Sequence, residues 1–231
     1  MGYWNESMNT NFLAYFEKEK IQDSLFEEHT LGKGAVLYDV AELAENIFFV
    51  KSGAFKAECS YPSGRKFIKE IYTQGEIFGE LGLFNAYYLE SAIALEKSVV
   101  LSIAKNDFKR LMAERLHVNS MINFLVGQRR IQLEKRLENL VFKDSKTRVV
   151  EFLLMMADQK GRIVGFEKEV KINLTHQDIA RINFTSRQKV TILMNELKSK
   201  KIISFNRRRI LFRDLDQLRS ELNPAMMMTS E

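Results

Sequence analysis

The sequence predicts an α+β fold in which an antiparallel β domain precedes a long helix and a C-terminal helical region with its own β-hairpin. Three observations predict this order. Short apolar runs separated by turn residues fill residues 29–104, which is typical of closely spaced strands. Apolar residues recur at helical spacing over residues 118–141. Residues 175–213 hold two short helices with their own start signals, followed by a hairpin pattern.

The strand candidates are short and closely spaced. They are residues 35–38, 46–50, 53–60, 66–72, 77–78 and 91–103. Turn signals such as Gly53, Gly64 and Gly75 separate them. Many short strands at this spacing predict an antiparallel barrel or jelly roll. Ahead of them, residues 11–28 carry a loose helical spacing and are predicted as one or two helices.

Residues 118–141 carry a different pattern. Their apolar residues recur about every 3.5 residues if Arg129 or Arg130 fills one gap, which is the spacing of a two-stranded coiled coil. The residues of this predicted dimer seam are Ile122, Val126, Leu133, Leu137 and Leu140. The alternative is a helix that packs on its own domain.

Two helix starts follow in residues 175–197. Thr175 can cap the first helix, and Asp178 lies three residues later, which is the spacing of a capping box. Thr185 and Gln188 repeat that spacing for the second helix. Apolar residues mark the inward faces, namely Ile179 and Ile182 in the first helix and Val190, Leu193, Met194 and Leu197 in the second. The outward face of the second helix then holds Arg187, Gln188, Thr191, Ile192 and Asn195.

This outward face indicates a nucleic-acid partner, because Arg, Gln and Asn carry forked donors and acceptors that match base edges in a major groove. Residues 202–204 and 209–212 are predicted as a hairpin with a basic tip, which is a wing. Between Arg181 and Arg213 there are ten basic residues against one acid, Glu196, a field suited to a phosphate backbone. We therefore predict a winged helix-turn-helix that binds duplex DNA. The alternative is a helical pair with a solvated polar face. Since one such motif rarely binds DNA tightly alone, we favour the dimer seam.

The composition limits the other functions. The chain has 231 residues, of which 45% are hydrophobic and 28% charged, as in ordinary globular proteins. Residues 1–116 hold 13 Lys and Arg against 17 Asp and Glu, whereas the remainder hold 22 against 13, so two parts face two kinds of partner. No apolar run approaches the roughly 18 residues of a membrane span, and no signal pattern opens the chain. We expect a cytoplasmic protein with no membrane partner.

No catalytic or metal-binding pattern is found. Cys59 is the single cysteine, which excludes an internal disulfide and a set of thiolates for zinc or an iron–sulfur cluster. A metal-dependent jelly-roll enzyme is the alternative, but His29, His117 and His176 lie far apart in sequence. We predict no enzyme activity, no metal and no cofactor, with haem sensing through a histidine left open.

These patterns divide the chain into four segments. They are a jelly-roll sensor domain (1–116), a dimerisation helix (117–142), a winged helix-turn-helix domain (143–223) and a disordered tail (224–231).

Three segments resemble the cyclic-AMP receptor protein and FNR class of bacterial transcription regulators, in that family's order. Residues 75–84 (GEIFGELGLF) resemble its phosphate-binding cassette. Residues 139–144 (NLVFKD) resemble the end of its dimerisation helix and hinge, and residues 185–190 (TSRQKV) its recognition helix. The resemblance implies a homodimer on a near-palindromic operator, with RNA polymerase as a further partner.

The resemblance also implies an effector pocket, formed by Gly79, Glu80, Leu81, Glu90, Ser91 and Leu133. In cyclic-nucleotide-binding members an Arg-Ser pair follows the cassette and the Arg pairs with the phosphate, whereas Glu90 and Ser91 stand there in this chain. Leu133 and Glu134 replace two adenine-contacting hydroxyl residues. We therefore expect cyclic AMP to bind weakly or not at all. The effector is unknown: it is an uncharged or cationic molecule, or the pocket stays empty. The alternative is a cyclic-nucleotide-responsive regulator despite the missing Arg.

The DNA contacts follow from the recognition helix and the wing. The residues expected at the DNA are Thr175, Thr185, Ser186, Arg187, Gln188, Lys189, Thr191, Asn195, Arg207 and Arg208. Arg187 is the best candidate for a guanine contact, whereas Arg207 and Arg208 are expected on phosphates. Phe184 stands where the family usually has Gly, so we expect Asn183 to take any left-handed conformation in this turn.

Overall fold

The structure is a computed structural model that describes residues 11–21, 23–206 and 208–222. These residues form two compact units, one ending at Glu134 and one beginning at Lys135. The predicted tail at 224–231 and the wing-tip residue Arg207 lie outside the described residues, and the predicted domain bounds stay predictions. None of the described helices is long and apolar enough to cross a membrane.

The first unit is built on antiparallel strands. Its strands are β1 (Phe26–Leu31), β2 (Val36–Tyr38), β3 (Asn46–Ser52), β4 (Ala54–Ser60), β5 (Lys66–Thr73), β6 (Ile77–Phe78), β7 (Ser91–Ala94) and β8 (Ser98–Ala104). They pair in the orders β1-β8-β3-β6 and β2-β7-β4-β5. Buried side chains from both sheets, among them Phe48, Phe55 and Phe78, share one aromatic core. The jelly-roll arrangement and the α+β class that the sequence predicts are confirmed.

Helices cover the other side of this unit. They are α1 (Phe12–Lys18), α2 (Lys105–Glu114) and α3 (Leu116–Phe142), with 3-10 turns at Asp23–Leu25 and Glu80–Leu83. The Asn11 side chain caps α1 by accepting a hydrogen bond from the Ala14 N–H at 3.0 Å. Phe12 packs on the rings of Phe49 and Phe108, so α1 is anchored to β3 and α2 by a buried aromatic cluster.

Two expectations are corrected in this unit. Residues 26–28, predicted as helix, begin β1, because Phe26 pairs with Ile103 at a distance in sequence that a local pattern does not reveal. Residues 91–103 form two strands, β7 and β8, with a turn between them. Gly53 lies beside this turn with a φ of 83°, and a Cβ there would lie 2.2 Å from Ser98 Oγ. Only glycine fits that position.

The long helix α3 has two different halves. Ile122, predicted at the dimer seam, is instead fully buried in the core of its own unit, and Val126 is partly buried against the same core. Leu133 and Leu137 are each 62% exposed, and Leu140 is half-buried. Apart from Leu116 at its first position, the large apolar side chains that α3 leaves exposed therefore lie in its C-terminal half.

The second unit holds helices and one small sheet. Its elements are α4 (Ser145–Gln159), β9 (Arg162–Val164), β10 (Glu167–Val170), α5 (His176–Ile182), α6 (Arg187–Ser199), β11 (Ile203–Asn206), β12 (Arg209–Phe212) and α7 (Leu215–Ser220). The sheet has the order β11-β12-β10-β9 and is antiparallel. Asp144 caps α4 by accepting from the Thr147 N–H at 2.7 Å. Helices α5 and α6 and the β11–β12 hairpin form the expected winged helix-turn-helix.

The turn between α5 and α6 differs from expectation. Phe184 itself takes the left-handed conformation with a φ of 50°, whereas Asn183 has a φ of −98°. Arg148 holds this turn, because its Nε donates to Asn183 O at 3.1 Å and its Nη2 donates to Phe184 O at 3.2 Å. The Arg136 guanidinium lies 5.9 Å from the centre of the Phe184 ring. These contacts offset a backbone strain that costs about 1–3 kcal/mol in a residue other than glycine.

The cap of α6 is also shifted by one residue. Ser186, and not Thr185, is the N-cap, and its hydroxyl accepts from the Lys189 N–H at 3.3 Å. The reason is the turn at Phe184, which makes Arg187 the first helical residue and places Ser186 directly before it.

Candidate DNA-binding face and effector pocket

Helix α6 presents the polar face that its sequence predicts. Arg187, Gln188 and Asn195 are exposed, and Ile192 is 68% exposed. The opposite face is buried and consists of Val190, Leu193, Met194 and Leu197. Arg187 and Gln188 occupy the first turn of the helix, which is the part of a recognition helix that meets base edges.

The hydroxyl of Thr191, in contrast, is engaged within the protein. Thr191 Oγ1 donates to the Arg187 carbonyl oxygen at 2.9 Å, and its oxygen lies 2.9 Å from His176 Nδ1. Because the hydroxyl proton is used on the carbonyl, His176 Nδ1 must donate its own proton to Thr191. The His176 ring also packs 5.3 Å from the ring of Phe205 in β11. One side chain at the start of α5 therefore ties together α6 and the wing.

The electrostatic setting of His176 keeps it neutral. Burial lowers the pKa of its imidazole, and the positive charge of Arg187 lowers it further. A neutral ring with its proton on Nδ1 suits the hydrogen bond to Thr191.

The start of α5 is fixed by the predicted capping box, which is confirmed. The Asp178 N–H donates to Thr175 Oγ1 at 3.1 Å, and the Thr175 N–H donates to Asp178 Oδ2 at 3.1 Å. The Thr175 hydroxyl also donates to Asp178 Oδ2 at 2.6 Å. Thr175 thus acts first as a cap, and its hydroxyl proton is used inside the motif.

Some of the basic residues counted around α6 make contacts within the protein. Lys200 pairs with Glu196 and Glu221 at 2.8 and 2.6 Å, and Lys198 lies over the ring of Phe205. Beyond these, Arg187, Lys189, Lys201 and Arg208 are exposed. Arg187, Lys189 and Arg208 lie on the recognition helix and at the wing tip, the two places expected to meet DNA.

A buried carboxylate organises the sheet behind the wing. The Glu169 side chain is 3% exposed, and it accepts hydrogen bonds from Arg209 at 2.9 Å and from Arg162 at 2.6 Å. The hydrogen bond from Arg209 lowers the pKa of the Glu169 carboxyl most, and the hydrogen bond from Arg162 lowers it further. Arg209 is therefore a structural ion-pair partner within the sheet, although it belongs to the basic run of the wing.

The cassette residues of the predicted effector pocket form one turn in the first unit, whereas Leu133 is exposed on α3. Gly79 precedes the Glu80–Leu83 turn with a φ of 76°, and a Cβ there would lie 3.1 Å from the Phe48 ring. Glu80 is buried and Leu81 half-buried, as expected of a cassette folded against the sheet. The glycine is required by its backbone conformation, so the shape of the cassette follows from its sequence.

The Glu80 carboxylate is occupied by a residue of the same unit. Arg129 of α3 forms a buried ion pair with it, donates to Ile77 O at 2.6 Å, and lies 5.1 Å from the centre of the Tyr72 ring. Burial lowers the pKa of Arg129, but the charge of Glu80, the neighbouring Tyr72 and the hydrogen bond to Glu80 together raise it above its ordinary value. The carboxylate that the family resemblance assigns to a ribose hydroxyl is thus paired with an internal cation.

The second carboxylate, Glu90, is also buried and paired. Lys69 of β5 donates to it at 2.9 Å. The Ser91 hydroxyl donates to Asp39 and accepts from the Val40 N–H at 3.3 Å, so it is held by the β2 side of the sheet. The Glu90 and Ser91 positions therefore present an internal ion pair and an engaged hydroxyl.

Tyr38 is a buried polar residue that, unlike Glu80 and Glu90, is not paired within the described part of the chain. It is 3% exposed, and its hydroxyl has no hydrogen-bond partner among the described residues. Burial raises its pKa, and the negative charge of Glu90 raises it further.

Sequence reasoning missed Arg129, Lys69 and His176 as site residues. Arg129 carried a signal, since it fills a gap in an apolar repeat, and a charge at such a position calls for a buried partner. Lys69 carried none, because its pairing with Glu90 joins residues of different strands.

The histidines are separate in the structure as well. His29 Nε2 lies 2.8 Å from Ser102 Oγ, His117 packs on Tyr15, and His176 belongs to the helix pair. Within the described part of the chain, no group of three or more His, Cys, Asp and Glu side chains is placed to hold a metal ion.

Two family models match this chain. Residues 28–115 match the cyclic nucleotide-binding domain, and residues 147–221 match the Crp-like helix-turn-helix domain. The first match contains the jelly roll and its cassette, and the second contains both helices of the motif and the wing.

Curated relatives match most of this chain. The global nitrogen regulator of Nostoc sp. is 24% identical over 184 residues, which cover 78% of this chain and 82% of the relative. A CRP-like cAMP-activated global transcriptional regulator of Mycobacterium tuberculosis is 23% identical over 187 residues, covering 80% of this chain and 84% of the relative.

Solved structures share the fold along most of the chain. A mutant of CooA from Carboxydothermus hydrogenoformans superposes with a TM-score of 0.76 at 27% identity, covering 93% of this chain and 97% of that one. FixK2 from Bradyrhizobium japonicum gives a TM-score of 0.75 at 20% identity, covering 86% of this chain and 97% of that one. With both domain matches in sequence, the chain belongs to the Crp/Fnr family of transcription regulators.

Proposed function

We propose that this regulator is a homodimer that reads an inverted-repeat operator with helix α6 of each protomer. The exposed face of α6 carries the proposal. Arg187, Gln188 and Asn195 lie on a capped helix whose opposite face is buried, next to a basic wing tip at Arg208. Such side chains match base edges in the major groove, and the surrounding cations suit the phosphates.

The dimer is supported by the C-terminal half of α3. Leu133 and Leu137 are both 62% exposed and lie one helical turn apart, and Val141 follows one turn later at 67%. Arg130 is exposed just before this stripe and pairs with Glu134 at 3.1 Å. The helix continues unbroken to Phe142, and Leu133, Leu137 and the half-buried Leu140 follow at steps of four and three residues, which suits a two-stranded coiled coil. Burying these leucines between two copies would remove apolar surface from water.

The operator geometry follows from the dimer. Recognition helices of such a dimer lie about 34–36 Å apart, so the half-site centres should be about 10 base pairs apart or a multiple of that distance. A binding-site selection from random duplex DNA tests this, and we expect an inverted repeat. Affinity should fall steeply as salt rises, because phosphate contacts release counterions. A selection without an inverted repeat, or a monomer at micromolar concentration in sedimentation, would contradict the proposal.

The jelly roll is proposed to respond to something other than cyclic AMP, or to hold no effector. Glu80 and Glu90 are paired with Arg129 and Lys69, and Glu90 would face the phosphate of a cyclic nucleotide. A like charge there lowers affinity. A cyclic-nucleotide-responsive regulator is the second candidate, favoured by Gly79 and Glu80, which keep the turn of the cassette. RNA polymerase is the further partner that the family implies.

A further inference from the structure

The outward face of α6 contains one large apolar residue among polar ones. Ile192 is 68% exposed. It lies one helical turn after Gln188 and one turn before Asn195. The apolar residues that α6 needs for the core of its unit are on the opposite face and are buried. Ile192 also lines a shallow groove with Val149 and Leu193, but most of its surface stays exposed, so packing within the described residues accounts for only part of its apolar side chain.

Thr191, the residue before Ile192, also carries an apolar group, its methyl. The Thr191 hydroxyl donates its proton to Arg187 O at 2.9 Å, and its oxygen accepts from His176 Nδ1 at 2.9 Å. One contact is with the backbone of α6 itself and the other is with α5. With its hydroxyl engaged, the group that Thr191 can present to a partner is its methyl. Thr191 and Ile192 are adjacent in the sequence of α6, and both lie outside its buried stripe.

In the major groove one base carries an apolar group, the C5-methyl of thymine. We propose that Ile192, with the methyl of Thr191, reads thymine methyl groups in each half-site, while His176 acts as a positioning residue that turns the Thr191 hydroxyl inward. The inference rests on the proposed function, because it requires α6 to lie in the groove. It names the chemistry by which part of the operator is distinguished.

The test replaces single thymines of the selected operator by deoxyuridine, which removes the methyl and keeps every base-pairing group. Fluorescence anisotropy at one salt concentration should show one or two positions per half-site where the unmodified protein binds about fourfold more weakly, the worth of about one buried methyl group. At those positions Ile192→Ala should lose most of the difference in affinity between thymine and deoxyuridine.

Three variants keep the test specific. Ile163→Ala is the matched control, since Ile163 is 78% exposed in β9 of the same unit and lies outside α6, and it should retain the fourfold loss. Thr191→Ser keeps the hydroxyl network and lacks the methyl, so it should reduce the loss, whereas Thr191→Val should not. The exposed position of Ile192 leaves the core intact, and an unchanged melting temperature checks this.

The outcomes separate the two levels of inference. DNA binding without a deoxyuridine effect at any position, or with the same effect in Ile192→Ala, would overturn the reading of thymine methyls and leave the proposed function standing. Failure to bind any duplex DNA would overturn both.

Discussion

The buried carboxylates of the first unit and the recognition helix of the second differ in where their charges are satisfied. In the first unit Glu58, Glu80 and Glu90 are 3–4% exposed, and each is paired with a cation of the same unit. In the second unit Arg187 and Lys189 project from the recognition helix into solvent. Buried charges need such partners, because an unpaired charge in the interior is costly. The first unit therefore pairs these carboxylates internally, while the cations of the recognition helix are exposed to a partner.

The contrast explains why one function is easier to assign than the other. A solvent-facing row of Arg, Gln and Asn on a capped helix matches one kind of surface. A predicted pocket whose carboxylates are already paired, as Glu80 is with Arg129, indicates no ligand by its charges alone.

The largest expected effect comes from breaking the buried pair of the first unit. Arg129→Ala leaves Glu80 buried without its cation and should lower the free energy of unfolding by about 3–5 kcal/mol. Arg130→Ala is the matched control, since Arg130 is exposed and its pair with Glu134 is worth at most about 1 kcal/mol. Urea denaturation followed by circular dichroism measures both. Equal losses would show that the Glu80–Arg129 pair does not stabilise the unit.

In the predicted pocket, Glu90 can be replaced by the arginine that cyclic-nucleotide-binding members of the family carry. Calorimetric titration should detect weak or no binding of cyclic AMP to the unmodified protein, and Glu90→Arg should raise the affinity by roughly ten- to a hundredfold. The reason is that a hydrogen bond to a charged group is worth about 1.5–3 kcal/mol. Glu114→Arg, at an exposed position in α2, makes the same charge change away from the pocket and should have no effect. Micromolar binding by the unmodified protein would favour the cyclic-nucleotide-responsive candidate instead.

On the DNA side, two arginines should have separable roles. Arg187→Ala should cost about 1–3 kcal/mol on the selected operator and relax discrimination at one base pair, because a bidentate contact to guanine is lost. Arg208→Ala should weaken operator and random DNA alike and reduce the salt dependence, as expected of a phosphate contact. Competition binding on both DNAs distinguishes them, and identical behaviour would make the assignment of roles wrong.

The smallest effect concerns the start of the recognition helix. Ser186→Ala removes the N-cap of α6 and should lower stability by about 0.5–2 kcal/mol, whereas Thr185→Ala should change it little. Thermal unfolding of the two variants compares the positions directly. A greater loss of stability for Thr185→Ala would show that Thr185 caps α6, as its spacing from Gln188 predicts.

Local patterns predicted most of the second unit. The capping box of Thr175 and Asp178 and the buried stripe of α6 each depend on residues within two helical turns, so their spacing was sufficient. The turn at Phe184 was predicted incorrectly because Arg148, 36 residues earlier, supplies the hydrogen bonds that stabilise it.

Long-range pairing limited the prediction in the first unit. The start of β1 at Phe26 depends on its pairing with Ile103, and the side of α3 that Arg129 faces depends on Glu80. A heptad count along α3 places Ile122 and Leu133 on one seam. The burial of Ile122 against α1 and α2 requires the folded unit.

The most direct test of a homodimer reading an inverted repeat is the phase of its half-sites. The affinity for the selected operator is compared with that for the same DNA carrying about 5 additional base pairs, half a helical turn, between the half-sites. We predict that the insertion moves one half-site to the opposite face of the duplex and reduces the affinity to that of a single half-site. The measurement is made in the absence of added cyclic nucleotide. Equal affinity for both DNAs would contradict the dimer and its two-fold operator.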